Sequence, residues 1–234
     1  APSLFREVLT TMRIPPVSVN LSALLTRFAR ICCRRSGSPS IEENLFGLFE
    51  VVADGHGGNT NARILKFTKD GKFLLQVGKF GKSGGSNDPE NFGRVAKIWV
   101  DPQTNEAYVA DGYKNKRVAV LDADTGKMKR YWGAYGNRPD DTPLPPYNPA
   151  AKPAQQFYNP VHCADLSNDN LLYVCDRQHD RLQVFKPDGT FVKQLVRTDV
   201  PFARNVALSP DREQQFLYVG AGKSIMVLDR KTLE

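Results

Sequence analysis

A strand ending in aspartate, a polar turn and an arginine-led strand recur along the chain, and this recurrence constrains the fold more than any other feature. VVADG (51–55) followed by RILKFTKDG (63–71) returns as YVADG (108–112) with RVAVLDADTG (117–126). It returns again as YVCDR (173–177) with RLQVFKPDG (181–189), and more weakly as YVGAG (218–222) with SIMVLDRKT (224–232). The intervals from Asp54 to Asp111, Asp111 to Asp176 and Asp176 to Ala221 are 57, 65 and 45 residues. Constant order with elastic spacing is the mark of a repeated supersecondary unit that carries loop insertions.

Each unit reads as four short strands, most clearly in the second copy. IWVD (98–101) is followed by a PQTN turn, then EAYVAD, a GYKNK loop, RVAVLD, and a DTG turn into KMKRYWG. Runs rich in Val, Ile, Tyr and Phe, punctuated by Gly, Asp, Asn and Pro, are strand-and-turn grammar. Asp70-Gly71 and Asp188-Gly189 are pairs that favour tight hairpins, because glycine accepts positive φ without steric cost. Val118, Val120 and Leu121, and likewise Val184 and Phe185, make the strands apolar on both faces, which fits sheets stacked on neighbours. No segment after Gly55 sustains 3.6-residue apolar periodicity, which excludes an α-solenoid. Four-stranded repeats of this length predict an all-β chain folded as a β-propeller of about four blades. Central strands are expected at 98–101, 162–166 and 205–208. Because the Asp and Arg recur in the repeat, they read as structural, with Asp at a strand end pairing with the Arg that opens the next strand.

The first copy lacks a recognisable innermost strand before Val51, and the fourth stops before its outermost strand. The expectation is a propeller cut at both ends, with open edges at 51–54 and 224–228. The domain reading is a basic segment over 1–45, poorly ordered or amphipathic, and the propeller over 46–234. In the first segment Leu21, Leu24, Leu25, Phe28 and Cys32 fall at helical spacing among arginines, a composition shared by transit peptides and membrane-surface helices. Pro15, Pro16 and Pro39 favour a poorly ordered appendage. No apolar run is long enough to span a membrane.

Formal net charge is +7, and residues 1–40, with six Arg and one Glu, account for +5 of it. The propeller is near neutral, so no nucleic-acid surface is expected. Four cysteines are too few for a disulfide scaffold. Cys163 and Cys175 lie on the first two strands of the third blade and face each other if SNDN (167–170) makes a tight hairpin. They read as a pair of buried thiols or a cross-strand disulfide, the thiols favoured. No paired metal-ligand spacing of the CxxC kind occurs.

The blade grammar resembles the NHL-repeat β-propellers over about four-fifths of the chain. Within that group VADGYKNKRV (109–118), NPVHC (159–163) and YVCDRQHDRLQVF (173–185) are similar to the peptidyl-α-hydroxyglycine α-amidating lyase family. The resemblance implies a six-bladed propeller, a lyase activity, and a location outside the cytoplasm, extracellular or periplasmic. It further implies that Tyr113 acts at the site, that Arg177 binds and polarises substrate, and that His162 is one of three zinc ligands.

The residues place these groups together independently. In an antiparallel blade the second strand ends on the face where the first begins, so residues after each repeat Asp share a rim with His162. That rim would collect Tyr113, Arg177 and His162 with His56 and His179, a set able to hold a metal and polarise a carboxylate or carbonyl. Aligned by inner strands, Ala96 and Arg204 stand where His162 stands; the resemblance implies zinc ligands from inner strands of alternate blades, the flanking ones expected before Val51 and after Glu234, so the chain is expected to supply at most one of the three. A channel calcium would need a cluster of Glu, Asn and Asp at the channel, and Asp165 and Asn205 alone do not make one. The alternative function is a non-catalytic propeller that binds a peptide, protein or small ligand on its loop face, where the Pro-rich insertion 137–160 is a stiff contact surface.

Overall fold

The computed structural model describes residues 40–43, 49–53, 62–68 and 71–234. Of the expected basic segment 1–45 only residues 40–43 are among them, and His56 lies outside them. Among the described residues the chain forms four antiparallel sheets, each built from strands consecutive in sequence. The first contains β1 (Ser40–Glu43), β2 (Phe49–Ala53), β3 (Ile64–Thr68) and β4 (Phe73–Val77). The second contains β5 (Lys97–Asp101), β6 (Glu106–Asp111), β7 (Arg117–Asp122) and β8 (Met128–Trp132). The third contains β9 (Val161–Leu166), β10 (Leu172–Asp176), β11 (Arg181–Phe185) and β12 (Phe191–Val196). The fourth has three strands, β13 (Val206–Leu208), β14 (Phe216–Ala221) and β15 (Ser224–Asp229).

The expected central strands are found within a residue of their predicted starts. One expectation is corrected. Strand β2, which carries Val51, is not an open edge, because β1 pairs with it from Ser40↔Ala53 to Glu43↔Glu50. The first blade therefore has the innermost strand that the sequence did not reveal, and that strand lies ahead of the expected boundary at residue 46. At the other end β15 is an edge strand, as expected.

The middle strands explain the apolar runs. Every residue of β6, β10 and β11 is buried, as both faces of a sheet are when neighbours stack against it. Three apolar clusters fill the spaces between consecutive blades. Ile64 of the first blade packs with Ile98, Val109 and Leu121 of the second. Tyr108 and Trp132 of the second pack with Val161, Val174 and Phe185 of the third. Tyr173 and Leu182 of the third pack with Val206, Leu217 and Leu228 of the fourth. Outer strands β4 and β12 are partly exposed, as outermost strands should be.

In the second and third blades the repeat Asp and Arg form a clamp that fixes the loop entering the blade. Asp111 and Arg117 are a fully buried ion pair with Nε to Oδ2 at 2.9 Å. The Arg117 guanidinium also donates to the carbonyls of Ser86, Asp88 and Asn91, while Asp111 Oδ1 accepts the Gly93 N–H. The third blade repeats this device. Arg181 pairs with Asp176 and donates to the carbonyls of Ala154 and Gln156, and Asp176 Oδ1 accepts the Tyr158 N–H. Each buried charge thereby meets an opposite charge and several dipoles, which burial in low dielectric demands. The two loops so fastened, 86–93 and 154–158, are those that lead into the inner strands of the second and third blades.

Cys163 and Cys175 are bonded as a disulfide, not held as two thiols. The cause is register. The turn at 167–170 closes through Asn170 N–H to the Ser167 carbonyl, with Asn170 in the left-handed region at φ 59°. That closure sets Cys163 directly opposite Cys175, with Cα atoms 4.9 Å apart, inside the range a disulfide requires.

Candidate active site at the second and third blades

The loop after β6 and the start of β9 are locked together, and the lock begins with a missing side chain. A Cβ on Gly112 would lie 2.0 Å from the Val161 carbonyl oxygen and 2.2 Å from its nitrogen, so only glycine lets the two backbones approach this closely. Asn159 tightens the contact by donating its Nδ2 to the carbonyls of Gly112 and Asn115, at 3.1 and 3.3 Å. Gly112 and Asn159 thus bring the residue after one, Tyr113, to the strand that follows the other.

The result is a direct contact between blades. The Tyr113 hydroxyl lies 3.1 Å from His162 Nε2, with the rings edge to face. His162 Nδ1 lies 2.5 Å from the Arg204 carbonyl oxygen. A carbonyl only accepts, so Nδ1 carries a hydrogen, and the lone pair of the neutral imidazole remains on Nε2. The Tyr113 O–H therefore donates to an imidazole whose tautomer the protein backbone has set. Arg204 joins the site through its carbonyl, although by side chain it stands where an inner-strand histidine was sought.

Arg177 reaches the same place by register. Asp176 pairs with Val161, and the Arg177 N–H donates to the Pro160 carbonyl, which puts Arg177 beside the strand that carries His162. Its guanidinium does not close on Asp176, whose carboxylate is taken by Arg181 and His179. The Arg177 charge instead acts on the Tyr113 phenol. Arg94, which the sequence did not single out, also approaches the phenol, with its guanidinium carbon 5.5 Å from the Tyr113 ring centroid. The Arg94 carbonyl accepts the Tyr113 N–H, and its backbone takes positive φ directly after Gly93.

Burial of Tyr113 raises its phenol above the ordinary tyrosine value, and the charges of Arg177 and Arg94 oppose that rise without reversing it. Desolvation of the phenolate outweighs two guanidinium groups, so the phenol rests protonated.

His179 does not join this cluster. It is buried beside the clamp of the third blade, its Nδ1 2.7 Å from Asp176 Oδ2, with Tyr147 and Tyr158 edge-on to its ring. The channel acceptors are occupied as well. Lys97 of β5 donates its ammonium to Asp165 of β9 at 2.7 Å and to Asn205, next to β13, at 3.2 Å. A cation already bridges the inner strands of three blades at those oxygens, so as they stand they do not fit a calcium ion.

With the geometry in view, comparison with known proteins gives one consistent direction. No family model matches the chain. Over 136 residues it is 32% identical to the peptidyl-glycine alpha-amidating monooxygenase of Mus musculus, covering 57% of this chain and 12% of that protein. Over 192 residues it is 30% identical to peptidyl-glycine alpha-amidating monooxygenase B of Xenopus laevis, covering 79% of this chain and 20% of that protein. The β-propeller domain of Cps50 (Swd1) from Myceliophteria thermophila superposes with a TM-score of 0.52 at 12% identity, over 86% of this chain and 55% of that one. This chain is a β-propeller similar to the amidating monooxygenases. It spans between an eighth and a fifth of the length of those two relatives. Among its described residues no helix is long and apolar enough to cross a membrane.

Proposed function

We propose that this propeller cleaves the C–N bond of a peptide ending in α-hydroxyglycine, releasing a peptide amide and glyoxylate. The observation that carries the reading is the Tyr113 hydroxyl held on His162 Nε2, beside the charge of Arg177. Similarity to amidating enzymes supports the same class of chemistry, as does the resemblance of the motifs around these residues to the amidating lyases.

In this reading Arg177, with Arg94 alongside, pairs with the substrate carboxylate; a guanidinium suits that role through its planar donor fork. The substrate hydroxyl sits against the Tyr113 oxygen. As the hydroxyl proton moves to Tyr113, Tyr113 gives its own proton to His162 Nε2, and the carbinol C–O becomes a C=O. The C–N electron pair leaves with the amide nitrogen, which takes a proton back from the imidazolium. The Arg204 carbonyl holds Nδ1–H throughout and stabilises the charged ring. Neither residue gains or loses a proton over the cycle, and positioned proton transfer of this kind contributes about 10²–10⁴-fold.

His162, with its lone pair on Nε2 and its other nitrogen anchored on a carbonyl, has the form of a zinc ligand. Ala96 and Arg204 stand at the corresponding places of the neighbouring blades, and no group of three or more His, Cys, Asp and Glu able to hold a metal occurs among the described residues. Those residues do not fit a three-ligand zinc site, and the steps above use the protein's own groups. The disulfide supports an oxidising, extracytoplasmic location.

The test is direct. The chain is incubated with a peptide ending in α-hydroxyglycine, and peptide amide and glyoxylate are quantified by mass spectrometry. Equal amounts of both, formed faster than in buffer and with KM raised in Arg177→Lys, are expected. Peptide binding without product overturns the catalytic reading and leaves a peptide-binding propeller.

A further inference from the structure

A groove of about 470 Å³ is lined by the loop residues that follow Tyr113, and no step of the proposed reaction uses it. Its lining includes Gly84, Gly85, Lys114, Lys116, Leu144 and Asn159. Two of its lining residues adjoin the site along the chain. Lys114 follows Tyr113 directly, and Asn159 both precedes the Pro160–Val161–His162 run and binds the loop that carries Tyr113. A ligand whose end lies at Tyr113 has this groove as its neighbouring space.

The groove's chemistry suits an extended peptide. The Gly84 carbonyl and Gly85 N–H make no hydrogen bond with a described residue, and they offer a main-chain acceptor and donor side by side. A Cβ on Gly84 would lie 2.4 Å from Asp88 Oδ2 and 2.6 Å from its Cβ, whereas one on Gly85 would meet the carboxylate end of Asp141 at 2.9 Å. Leu144, from the Pro-rich insertion, adds an apolar contact on a stiff support.

The lining carries two lysines and one aspartate. Lys114 is exposed and makes no ion pair with a described residue. The buried Lys116 ammonium donates to the Thr142 carbonyl at 2.6 Å and to Gln156 Oε1 at 3.4 Å, both neutral acceptors. Asp141, the acidic member of the lining, is committed to Ser86, whose N–H and hydroxyl it accepts. The exposed Asp140 carboxylate feels the Lys116 charge but is held by Thr142.

We infer that this groove binds the peptide chain immediately upstream of the reacting C-terminal residue, and that Lys114 and Lys116 make it select carboxylate side chains there. The inference rests on the proposed reading for the direction of the peptide; the groove and its charge stand apart from the chemistry.

Two fluorescein-labelled hexapeptides test it. Both end in glycine, which has no hydroxyl to lose, and they carry Glu-Glu or Gln-Gln at the two preceding positions. Anisotropy titration of the chain at low salt should show the Glu peptide binding about fivefold or more tighter, with the advantage shrinking as salt rises. Lys114→Glu should abolish or reverse the preference, Lys114→Gln should reduce it, and Lys223→Glu, an exposed lysine in another blade, should leave it intact. Equal affinities, or a preference that survives Lys114→Glu in a variant with unchanged circular dichroism, overturn the groove assignment even if hydroxyglycine peptides are cleaved. A Lys114-dependent preference without cleavage upholds the groove and removes the proposed reaction.

Discussion

Replacing Gly112 by alanine isolates the contact that assembles the site. The new methyl carbon would be placed 2.0, 2.2 and 2.5 Å from the oxygen, nitrogen and carbonyl carbon of Val161. These are backbone atoms of an inner strand, so no rotamer change relieves the clash and either the 112–115 loop or β9 must move by an ångström or more. Moving the loop also costs the two Asn159 hydrogen bonds. Forced overpacking typically costs 1–3 kcal/mol, and a backbone-against-backbone clash belongs at the top of that range, about 3 kcal/mol. For a chain of this size the melting midpoint should fall by about 6–12 °C. Gly220→Ala is the matched control, because the nearest atoms to its added carbon are 3.6 Å away and its φ is not positive. It should be neutral, or stabilising by up to about 1 kcal/mol through the unfolded chain. Equilibrium urea unfolding of both variants compares them under one protocol. A Gly112→Ala protein within about 0.5 kcal/mol of the parent, or indistinguishable from Gly220→Ala, would refute the close approach on which the site depends.

Two further outcomes follow from the buried charges. Arg181→Met leaves the Asp176 carboxylate and the Ala154 and Gln156 carbonyls without their shared donor, and it should cost about 3–5 kcal/mol in urea unfolding, where a surface Arg197→Met costs under about 1. Glu106 is held down to about pKa 2 by Arg130 first, with Lys129 and the Tyr108 hydroxyl assisting against the opposing effect of burial. A depressed carboxylate stabilises the fold above its unfolded value of 4.5 and loses that contribution as pH falls toward 2. The stability advantage of the parent over Glu106→Gln, about 2 kcal/mol near neutrality after allowing for solvent around the cations, should therefore vanish between pH 4.5 and 2. An advantage constant over that window would show that the ion pair is not its source.

The fold was legible because propeller stability is local. Each blade needs its own alternation of apolar strand and polar turn, so the pattern recurs in plain sight, and β5, β9 and β13 begin within a residue of expectation. What escaped notice lacked that pattern. SIEE, the β1 sequence, has a single apolar residue and gives no strand signal without its partner β2. The clamp role of Arg117 and Arg181 was half visible: the pairing with Asp111 and Asp176 followed from the repeat, but the loop carbonyls they bind have no sequence signature. The disulfide turned on one register, Cys163 opposite Cys175, which the length of the 167–170 turn decides.

The site divides in the same way. Tyr113, Arg177 and His162 were placed on one rim by strand geometry, and the structure brings Tyr113 against His162 with the Arg177 charge nearby. His179 has equal standing in sequence, yet Asp176 captures it for the clamp. Arg94 sits in an entry loop where no repeat marks it, and its role depends on a positive φ after Gly93. The Tyr113 phenol could not be judged from its neighbours alone, because burial, which sequence does not give, outweighs both arginines.

The central claim is that Tyr113 and His162 act as one proton-transfer unit, and a double-mutant cycle on hydroxyglycine-peptide cleavage measures that most directly. Tyr113→Phe and His162→Gln are each expected to lower kcat/KM by about 10²–10⁴-fold. The double variant should be no slower than the slower single variant, because either substitution alone breaks the relay. Losses that multiply, or turnover that survives both substitutions, would show that the two residues do not work through the 3.1 Å contact between them.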